Sequence, residues 1–479
     1  MNLLDRAIAF FAPDVGLRRQ RARQMLQRAY EGASLRDGWR PRRAGASANA
    51  DHRADAYALR VRARSLVQNV PYIARAIDTL VSRTIGTGIT PVIQAKRQKK
   101  RYEDLWAEWE SQADADGVYN IYGFQAAAYR AMEIDGEVLI RRRWRRPEDG
   151  LAVPLQLQLL EIDWLDSAKS GPVAGGGQII NGIEYDAIGR VRNYWLHGMH
   201  PGDRGVSTGR IGSYAVPAKD IIHLYAPTRP GQGRGITRLA SVIARSRDLM
   251  LYEDAELQRK NLETRLGIVA TGDVSGMSNP PDNGTLTDPR DLGNLSSGGI
   301  TQLPSGLNLT QVEPKAVPGF VDYVRMQLHL IASGIGVPYE SMTGDMSEVN
   351  FSSARIRQIE FRGDREQCQW LVVNPRLNTP IYRWFVEAAE LAGKISNPEY
   401  GVDWSTPRWD YVNPAQDVKA DIEAIGACLL TPSEALRRRG YKPEQVFAEA
   451  AADMKALSKS GALELMTFFR KKTAEPAQN

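Results

Sequence analysis

The sequence is poor in cysteine and has no long apolar run. Its only two cysteines, Cys368 and Cys428, lie far apart in the 479 residues. A disulfide framework or a structural zinc site needs more thiols, so we interpret both as small apolar side chains. No stretch of about 18 apolar residues occurs, so no membrane span is expected. The apolar segment 2–12 is interrupted by Asp5 and Arg6 and followed by basic residues, the reverse of a secretory signal. We therefore expect the chain to stay in the cytoplasm where it is made.

Signatures of catalysis are equally scarce. The glycine-rich segment 231–235 lacks the Lys-Ser/Thr pair of a phosphate-binding loop, and we interpret it as a turn before a helix. His197 and His200 would need a helix to share a metal ion, but glycine and proline beside them favour a loop. Asp163 and Asp166 are the one pair of carboxylates that suggests a two-metal nuclease. We expect no enzyme, metal or cofactor.

Positive charge is unevenly distributed, although the net charge is only +6. The first 60 residues hold twelve arginines and six acids, and two further basic runs occupy 96–101 and 141–146. Such runs form either a solvated surface or a contact with a polyanion such as DNA phosphate, and the residue pattern leaves both open. Residues 13–55 have little apolar periodicity, which is typical of a flexible or partner-ordered arm.

The middle of the chain alternates between helical and strand patterns. An apolar stripe at helical spacing runs from Tyr57 to Ile85, and 102–134 predicts two helices around the loop 114–120. A mainly β unit follows, with a hairpin turn at 186–190. Its predicted strands are Val138–Ile140, Leu155–Leu159, Ile179–Tyr185, Val191–Leu196 and Ile221–Tyr225. The fold class is α+β.

Two long helices enclose a segment rich in glycine and proline. The first is predicted over 237–266, about 40 Å long, and the second after Pro318. Their apolar stripes comprise Leu239, Val242, Ser246, Leu249 and Leu257 in the first, and Phe320, Val321, Val324, Leu328, Ile331 and Ile335 in the second. Between them, 271–318 holds possible strands in 303–312. A connection of this length is uncommon in one domain unless it folds as a unit or serves an interface.

The segment 334–363 predicts a helix that stops, a polar irregular loop and a charged helix. Glycines and Pro338 end the first helix, because proline disfavours helical geometry in the residue before it. Ser352 or Ser353 is the predicted cap of the second helix. Further on, the helical patterns are Asp417 to Leu436 and Pro443 to Met454.

This segment resembles the portal proteins of tailed double-stranded DNA bacteriophages, in particular the lambda-type family. The resemblance lies in the phrase GIGVPYESMTGD, followed by VNFSS and an arginine-rich helix. Further blocks extend it over roughly 1–450, and within them Asp163 and Asp166 belong to a structural motif. These blocks include Ala74–Val81, Gly86–Ile89, Asp135–Leu139, Leu155–Glu161, Arg229–Gly235, Trp404, Pro407, Trp409 and Asn413-Pro414.

The resemblance implies a portal fold, a twelve-subunit ring at one capsid vertex, and no catalytic activity. Its implied parts are an N-terminal arm 1–55, a wing 56–236, stem helices 237–266 and 318–338 around a clip 267–317, a tunnel loop 339–352, wing helices 353–415, a crown 416–460 and a tail 461–479. The implied partners are double-stranded DNA in the channel, the terminase large subunit, head-tail completion proteins, and the major capsid and scaffold proteins. The expected location is the virion.

Two sets of residues are expected to act in such a ring. The tunnel loop carries short polar or acidic groups and no lysine or arginine, so we expect it to let DNA slide. These residues are Thr343, Asp345, Ser347, Glu348, Asn350 and Ser352. The charged helix is expected to form ion pairs between subunits through Arg355, Arg357, Glu360, Arg362 and Asp364.

Two alternatives remain at this stage. The basic N-terminal region also suits a DNA-processing enzyme, a nuclease or terminase component, but that class predicts phosphate-loop or clustered carboxylate motifs. A defective prophage copy would fold without building virions, and the sequence alone does not separate it from an active one.

Overall fold

The structure is a computed structural model. It describes residues 45–203, 212–265, 269–272, 307–310, 319–347, 349–407, 414–437, 441 and 443–460. Within these ranges it is a mixed α and β fold, as predicted. None of the helices described is both long and apolar enough to cross a membrane. Most of the expected arm and clip, Glu348, Trp409, Asn413 and the C-terminal tail lie outside the described residues.

The predicted helix from Tyr57 to Ile85 is two helices. The first, α1 (Ala48–Asn69), begins where the Ser47 side chain accepts a hydrogen bond from the backbone N–H of Ala50, so it covers the last residues of the expected arm. It ends because Pro71 cannot continue the hydrogen-bond ladder, and Val70 before it is extended. Pro71 opens α2 (Pro71–Thr84), where its missing N–H has no cost.

Two further helices follow around a loop, as the sequence predicted, and the second of them packs against α2. These are α3 (Lys99–Trp109) and α4 (Ile121–Asp135). The loop between them is organised by Asp114, whose carboxylate accepts backbone N–H groups from 116, 118 and 119. Gly136, at φ 90°, ends α4 and turns the chain into the first long strand.

The β unit consists of two antiparallel sheets. Strands β2 (Glu137–Trp144), β3 (Leu155–Leu160) and β9 (Ile221–Tyr225) form one sheet, in the order β3-β2-β9. The other has five strands in chain order: β4 (Gly171–Val173), β5 (Gly177–Ile180), β6 (Ile183–Tyr185), β7 (Val191–His197) and β8 (Ser213–Pro217). The strand predicted over Ile179–Tyr185 is wrong as a single strand, because Asn181 and Gly182 take positive φ and form a tight hairpin.

The sheet β3-β2-β9 lies between two hydrophobic cores. Val138 and Ile140 of β2 belong to the main core, which the helices form, whereas Leu139 belongs to a smaller core beneath the five-stranded sheet. Because alternate residues of a strand point to opposite faces, β2 is apolar on both faces at this end. This explains why 138–140 is an unbroken apolar run.

The long predicted helices are shorter than expected. The first begins as a 3₁₀ turn (Arg238–Ser241) and continues as α5 (Ile243–Arg265), whose 23 residues span about 35 Å. Leu239, Val242, Ser246 and Leu249 are buried as predicted, but Leu257 is 59% exposed. An antiparallel pair, β10 (Val269–Gly272) and β11 (Leu307–Thr310), follows in the segment between the long helices.

The second long helix, α6 (Phe320–Ile335), ends at Gly336 as predicted. Ile331 and Ile335 of its stripe are buried, whereas Val321 is 64% exposed, so the stripe does not pack over its whole length. A short helix, α7 (Tyr339–Thr343), comes next.

The C-terminal part is helical with one small strand. A long helical run consists of α8 (Phe351–Cys368), a π-helix (Gln369–Asn378) and α9 (Thr379–Leu391). Strand β12 (Val402–Ser405) pairs with β1 (Thr90–Ile93). Helices α10 (Pro414–Gly426), α11 (Pro432–Arg437) and α12 (Pro443–Ser460) close the chain. The continuous helix predicted from Asp417 to Leu436 is wrong, because Cys428 takes positive φ and Pro432 starts a new helix.

Candidate functional site

The segment between α6 and α8 is more ordered than the irregular loop predicted over 339–352. After Gly336, at φ 83°, the chain forms the single turn α7, which ends at Gly344 with φ 78°. Both glycines occupy the left-handed region that other residues rarely adopt. The part without regular structure is therefore confined to 344–350, of which residue 348 is not described.

Three of the predicted channel residues, Thr343, Asp345 and Ser347, form hydrogen bonds inside this segment. The Thr343 hydroxyl donates to the backbone oxygen of Tyr339 at 2.9 Å and accepts from the N–H of Asp345 at 3.2 Å. The Asp345 carboxylate accepts the N–H of Ser347 and the Tyr339 hydroxyl, each at 3.0 Å. These bonds from Ser347 and then Tyr339 lower the pKa of Asp345 to about 2, so it stays ionised at neutral pH. Asp345 thus shapes the loop.

Both flanking helices hold this segment in place. From α6, the His329 ring stacks on Tyr339 with centroids 3.9 Å apart, and Arg325 lies 3.8 Å from the Asp345 carboxylate. From α8, Arg357 forms an ion pair with Glu340. These contacts fix residues 339, 340 and 345 to the two flanking helices, whereas Ser347 and Asn350 remain exposed.

Three of the predicted channel residues that the structure describes lie on the surface. Ser347, Asn350 and Ser352 are exposed, and Glu348 is outside the described residues. The prediction that Ser352 or Ser353 caps the next helix is wrong. Asn350 is the cap, because its side-chain oxygen accepts the N–H of Ser353 at 2.8 Å, and asparagine is at least as good a cap as serine.

The three arginines predicted for subunit contacts all have partners within the subunit. Arg355 lies 2.9 Å from the Asp417 carboxylate of α10, and Arg362 lies 2.8 Å from Glu366 one turn along α8. Arg357 holds Glu340, as described above. The two acids of the predicted set, Glu360 and Asp364, are exposed. The structure describes one subunit, so contacts between subunits stay a prediction.

Exposed apolar side chains accompany these charges. Ile356 and Ile359 of α8 are 66% and 58% exposed, and Trp370 of the π-helix is 51% exposed. We call these three residues the α8 apolar face. A second group lies on α6, where Tyr323, Met326 and Leu330 repeat at helical spacing with at least 44% exposure. Large apolar side chains grouped in this way are typical of a protein interface.

The sequence did not predict a buried charge network at the root of the β unit. Glu137 is fully buried, and Arg234 donates to both its carboxylate oxygens from Nε at 2.9 and 2.8 Å. Its carboxylate also accepts the N–H of Gly235 at 2.9 Å, lies 2.9 Å from His223 Nε2, and lies 3.4 Å from His52 Nε2. The network therefore joins α1, β2, β9 and the turn before α5.

Two groups in this network, Glu137 and His223, have shifted pKa values. Burial alone would raise the pKa of Glu137, but the charge of Arg234, the hydrogen bond with His223 and the nearby His52 ring hold it well below its usual range. Burial lowers the pKa of His223, although Glu137 acts in the opposite sense. Glu137 is therefore a buried ion of the fold. As predicted, 231–235 is a turn, with Gly231 at φ 76°.

Asp163 and Asp166, the two carboxylates that suggest a nuclease, form structural contacts instead. Asp163 pairs with Arg60 at 2.8 Å and with Arg64 at 2.7 Å, and Asp166 accepts the Ser213 hydroxyl at 2.7 Å. In the part of the chain that the structure describes, one group could geometrically hold a metal ion, namely Glu161, Asp163 and His200, whose ligand atoms lie within 4.8 Å of one another. Because two guanidinium groups already neutralise Asp163, a cation is disfavoured there.

Comparison with known proteins shows the family to which the sequence belongs. The model of the lambda family of phage portal proteins matches residues 33–369. A probable portal protein of Halomonas phage phiHAP-1 is 25% identical over 427 residues, which cover 84% of this chain and 81% of that protein. The portal protein of Escherichia phage N15 is 24% identical over 266 residues, 48% of this chain and 49% of that one. A chain from the solved neck of a native GTA particle, computed with C12 symmetry, is 15% identical, with 79% and 91% coverage and a TM-score of 0.46.

Proposed function

The chain belongs to the lambda family of phage portal proteins, and we propose that about twelve copies form a ring at one vertex of the capsid. The ring provides the channel through which double-stranded DNA enters during packaging and leaves during ejection. The role is structural, and the ATPase that moves the DNA is a separate protein. The match of the family model over most of the chain is the observation that carries this proposal.

The exposed apolar residues support assembly into a ring. The α8 apolar face and the group on α6 expose large apolar side chains to water, and this exposure does not stabilise a monomer. A head-to-tail contact between two different surfaces, repeated about an axis, buries such groups in every subunit and closes into a ring. We propose that α5 and α6 are the stem and that α8 packs against the neighbouring subunit.

The segment 344–350 is our candidate for the narrowest part of the channel. Its exposed Ser347 and Asn350, together with Ser352, offer neutral polar groups to the DNA, and residues 339–352 contain no lysine or arginine. A wall of guanidinium groups would hold the phosphates and slow the passage of DNA. We propose that this segment lets the duplex slide, with the Asp345 charge adding weak repulsion.

The other parts of the chain follow the portal plan in this proposal. Residues 56–236 and 353–415 form the wing, 267–317 the clip, 416–460 the crown, 1–55 an arm and 461–479 a tail. The terminase large subunit, the head-tail completion proteins, and the capsid and scaffold proteins dock on this frame. The assembled protein resides in the virion.

A double substitution on α8 tests the ring. We expect Ile356→Asp with Ile359→Asp to abolish rings in electron micrographs and leave monomers by native mass measurement, because two buried carboxylates per interface are strongly unfavourable. Far-ultraviolet circular dichroism should stay unchanged, since both side chains are solvent-exposed in the subunit. Ile188→Asp is the control: Ile188 is 73% exposed at a hairpin tip. Normal rings from the double variant would contradict the proposed contact.

A further inference from the structure

Three arginines follow one face of β2 beyond its apolar end. Arg141, Arg143 and Arg145 alternate along the strand, on the face that Leu139 presents to the five-stranded sheet. Arg145 lies just past the end of β2, but its N–H still bonds to the backbone oxygen of Pro154 at 3.0 Å, so the ladder continues there. We call these three residues the arginine stripe.

Arg142, which lies between Arg141 and Arg143 on the strand, has a structural role. Arg142 points to the opposite face, is buried, and pairs with Asp220 and with Glu387 at 2.8 Å. It also lies over the rings of Trp144 and Trp384. Its charge is therefore neutralised within the subunit.

The arginine stripe, by contrast, lacks acidic partners. Among the described residues, no carboxylate forms an ion pair with any of its three members. Their side-chain bonds are to neutral groups: Arg141 donates to the Tyr214 hydroxyl at 2.9 Å and Arg145 to the Gln156 side-chain oxygen at 2.7 Å. These bonds fix the direction of two guanidinium groups and leave their charges uncompensated.

The stripe lines a groove of about 420 Å³ between β2 and β8, with Tyr214 and Pro217 on the β8 side. Arg142 and Asp220 also line this groove, and they neutralise each other as an ion pair. Burial, and then the charges of Arg141 and Arg145, lower the pKa of Arg143. The carboxylate of Asp116 opposes this effect only from beyond ion-pairing distance. Three like charges held together in a groove repel one another until an anion enters.

The spacing of the stripe suits a chain of phosphates. Same-face residues of a strand repeat every 6.8 Å or so. The phosphates of one DNA strand rise about 3.4 Å along the duplex axis and also wind around it, so neighbouring phosphates are separated in space by more than this rise, on the scale of the stripe spacing. Guanidinium groups also bind phosphate oxygens through two parallel hydrogen bonds. A DNA strand running along β2 would place phosphates within reach of all three members.

We propose that the arginine stripe binds the phosphate backbone of duplex DNA outside the channel. This rests on the proposed function only because that function brings DNA to the ring. An acidic protein segment is the competing occupant. The contact would hold DNA that surrounds the portal without reading its sequence, since phosphate contacts carry no base information.

The test uses assembled full-length rings and a relaxed, covalently closed circular duplex, which cannot thread a closed ring. Binding is measured as salt rises from about 50 to 200 mM. Replacing the stripe with Arg141→Gln, Arg143→Gln and Arg145→Gln should weaken binding and reduce the slope of log K against log salt by about 2.7 for each subunit engaged. The matched control replaces three exposed arginines elsewhere, Arg53→Gln, Arg62→Gln and Arg190→Gln, and should leave the slope near that of the wild type.

Single variants at Arg143 guard against misfolding, because its side chain makes no hydrogen bond that the described structure would lose. Arg143→Gln should lower the slope by about 1, and Arg143→Lys should keep it. Equal losses in the stripe and control variants would overturn the proposal, as would unchanged DNA binding with lost binding of an acidic capsid or scaffold protein. Rings must persist in every variant; their absence from the wild type would instead contradict the proposed function.

Discussion

At the scale of single residues, the buried pair Glu137–Arg234 explains two short motifs that the sequence separates widely. Both motifs were recognised from the sequence as blocks of the family, but their contact was not predicted. A strand residue and a turn residue 97 positions apart give no local sign that they meet. The available signal was weak: a glutamate opening an apolar strand, where a free carboxylate would be costly to bury.

We expect Glu137→Gln to lower the free energy of unfolding by about 3–5 kcal/mol, because it leaves Arg234 buried without its counter-ion. The measurement is urea unfolding of the Ile356→Asp, Ile359→Asp subunit, so that assembly does not contribute. Glu148→Gln is the control, since Glu148 is exposed. A similar loss of unfolding free energy in both variants would contradict the role of Glu137 as the buried counter-ion of Arg234.

The same pair predicts how stability depends on pH. The folded-state pKa of Glu137 is depressed, so its stabilisation is complete above its unfolded pKa of about 4.3 and is lost as pH falls from there towards the folded value. His223, with a lowered pKa, adds a loss that begins below about pH 6.5. Glu137→Gln should flatten the acid part of the curve in urea titrations at several pH values. A curve parallel to the wild type would contradict the assigned shift.

At the scale of elements, the sequence predicted most helices and strands but misplaced several ends. Gly336 and Pro338 end α6 as expected, because their backbone preferences act locally. The π-helix Gln369–Asn378 was not predicted, since it contains Pro375 and its wider turn departs from the 3.6-residue period used to find helices. Its buried Gln369 donates to the backbone oxygen of Thr84 at 2.7 Å, a tertiary contact that no sequence pattern reports.

At Gly334, where α6 crosses the start of α5, the close packing leaves no room for a larger side chain. A Cβ on Gly334 would lie 2.4 Å from Val242 Cγ1. We expect Gly334→Ala to destabilise the subunit by about 1–3 kcal/mol through this overlap. In a Val242→Ala background the added cost of Gly334→Ala should largely disappear, because the overlapping methyl group is gone. The comparison is Gly363→Ala in α8, where a Cβ meets nothing within 4 Å, and a gain of about 0.5–1 kcal/mol is expected. Urea unfolding in the dissociated background measures both; stabilisation by Gly334→Ala would refute the close contact.

At the scale of the whole molecule, a single subunit exposes apolar side chains on α6 and α8 that indicate assembly. The residues that the structure describes leave the α8 apolar face and the group on α6 exposed, and assembly with other copies accounts for them. The sequence indicated the family through the phrase Gly336–Arg357, and the family model agrees. It did not indicate which residues of α8 face outward. The sequence predicts subunit contacts through the charged residues, but the structure pairs the arginines within the subunit and leaves the isoleucines exposed.

Single-particle electron microscopy of the purified chain, with native mass measurement, is the decisive test of the proposed ring. We predict closed rings of about twelve copies in which Ser347 and Asn350 line the central channel and the neighbouring subunit covers Ile356 and Ile359. A ring that carries 344–350 on its outer surface, or a population of monomers with the α8 apolar face in solvent, would contradict it.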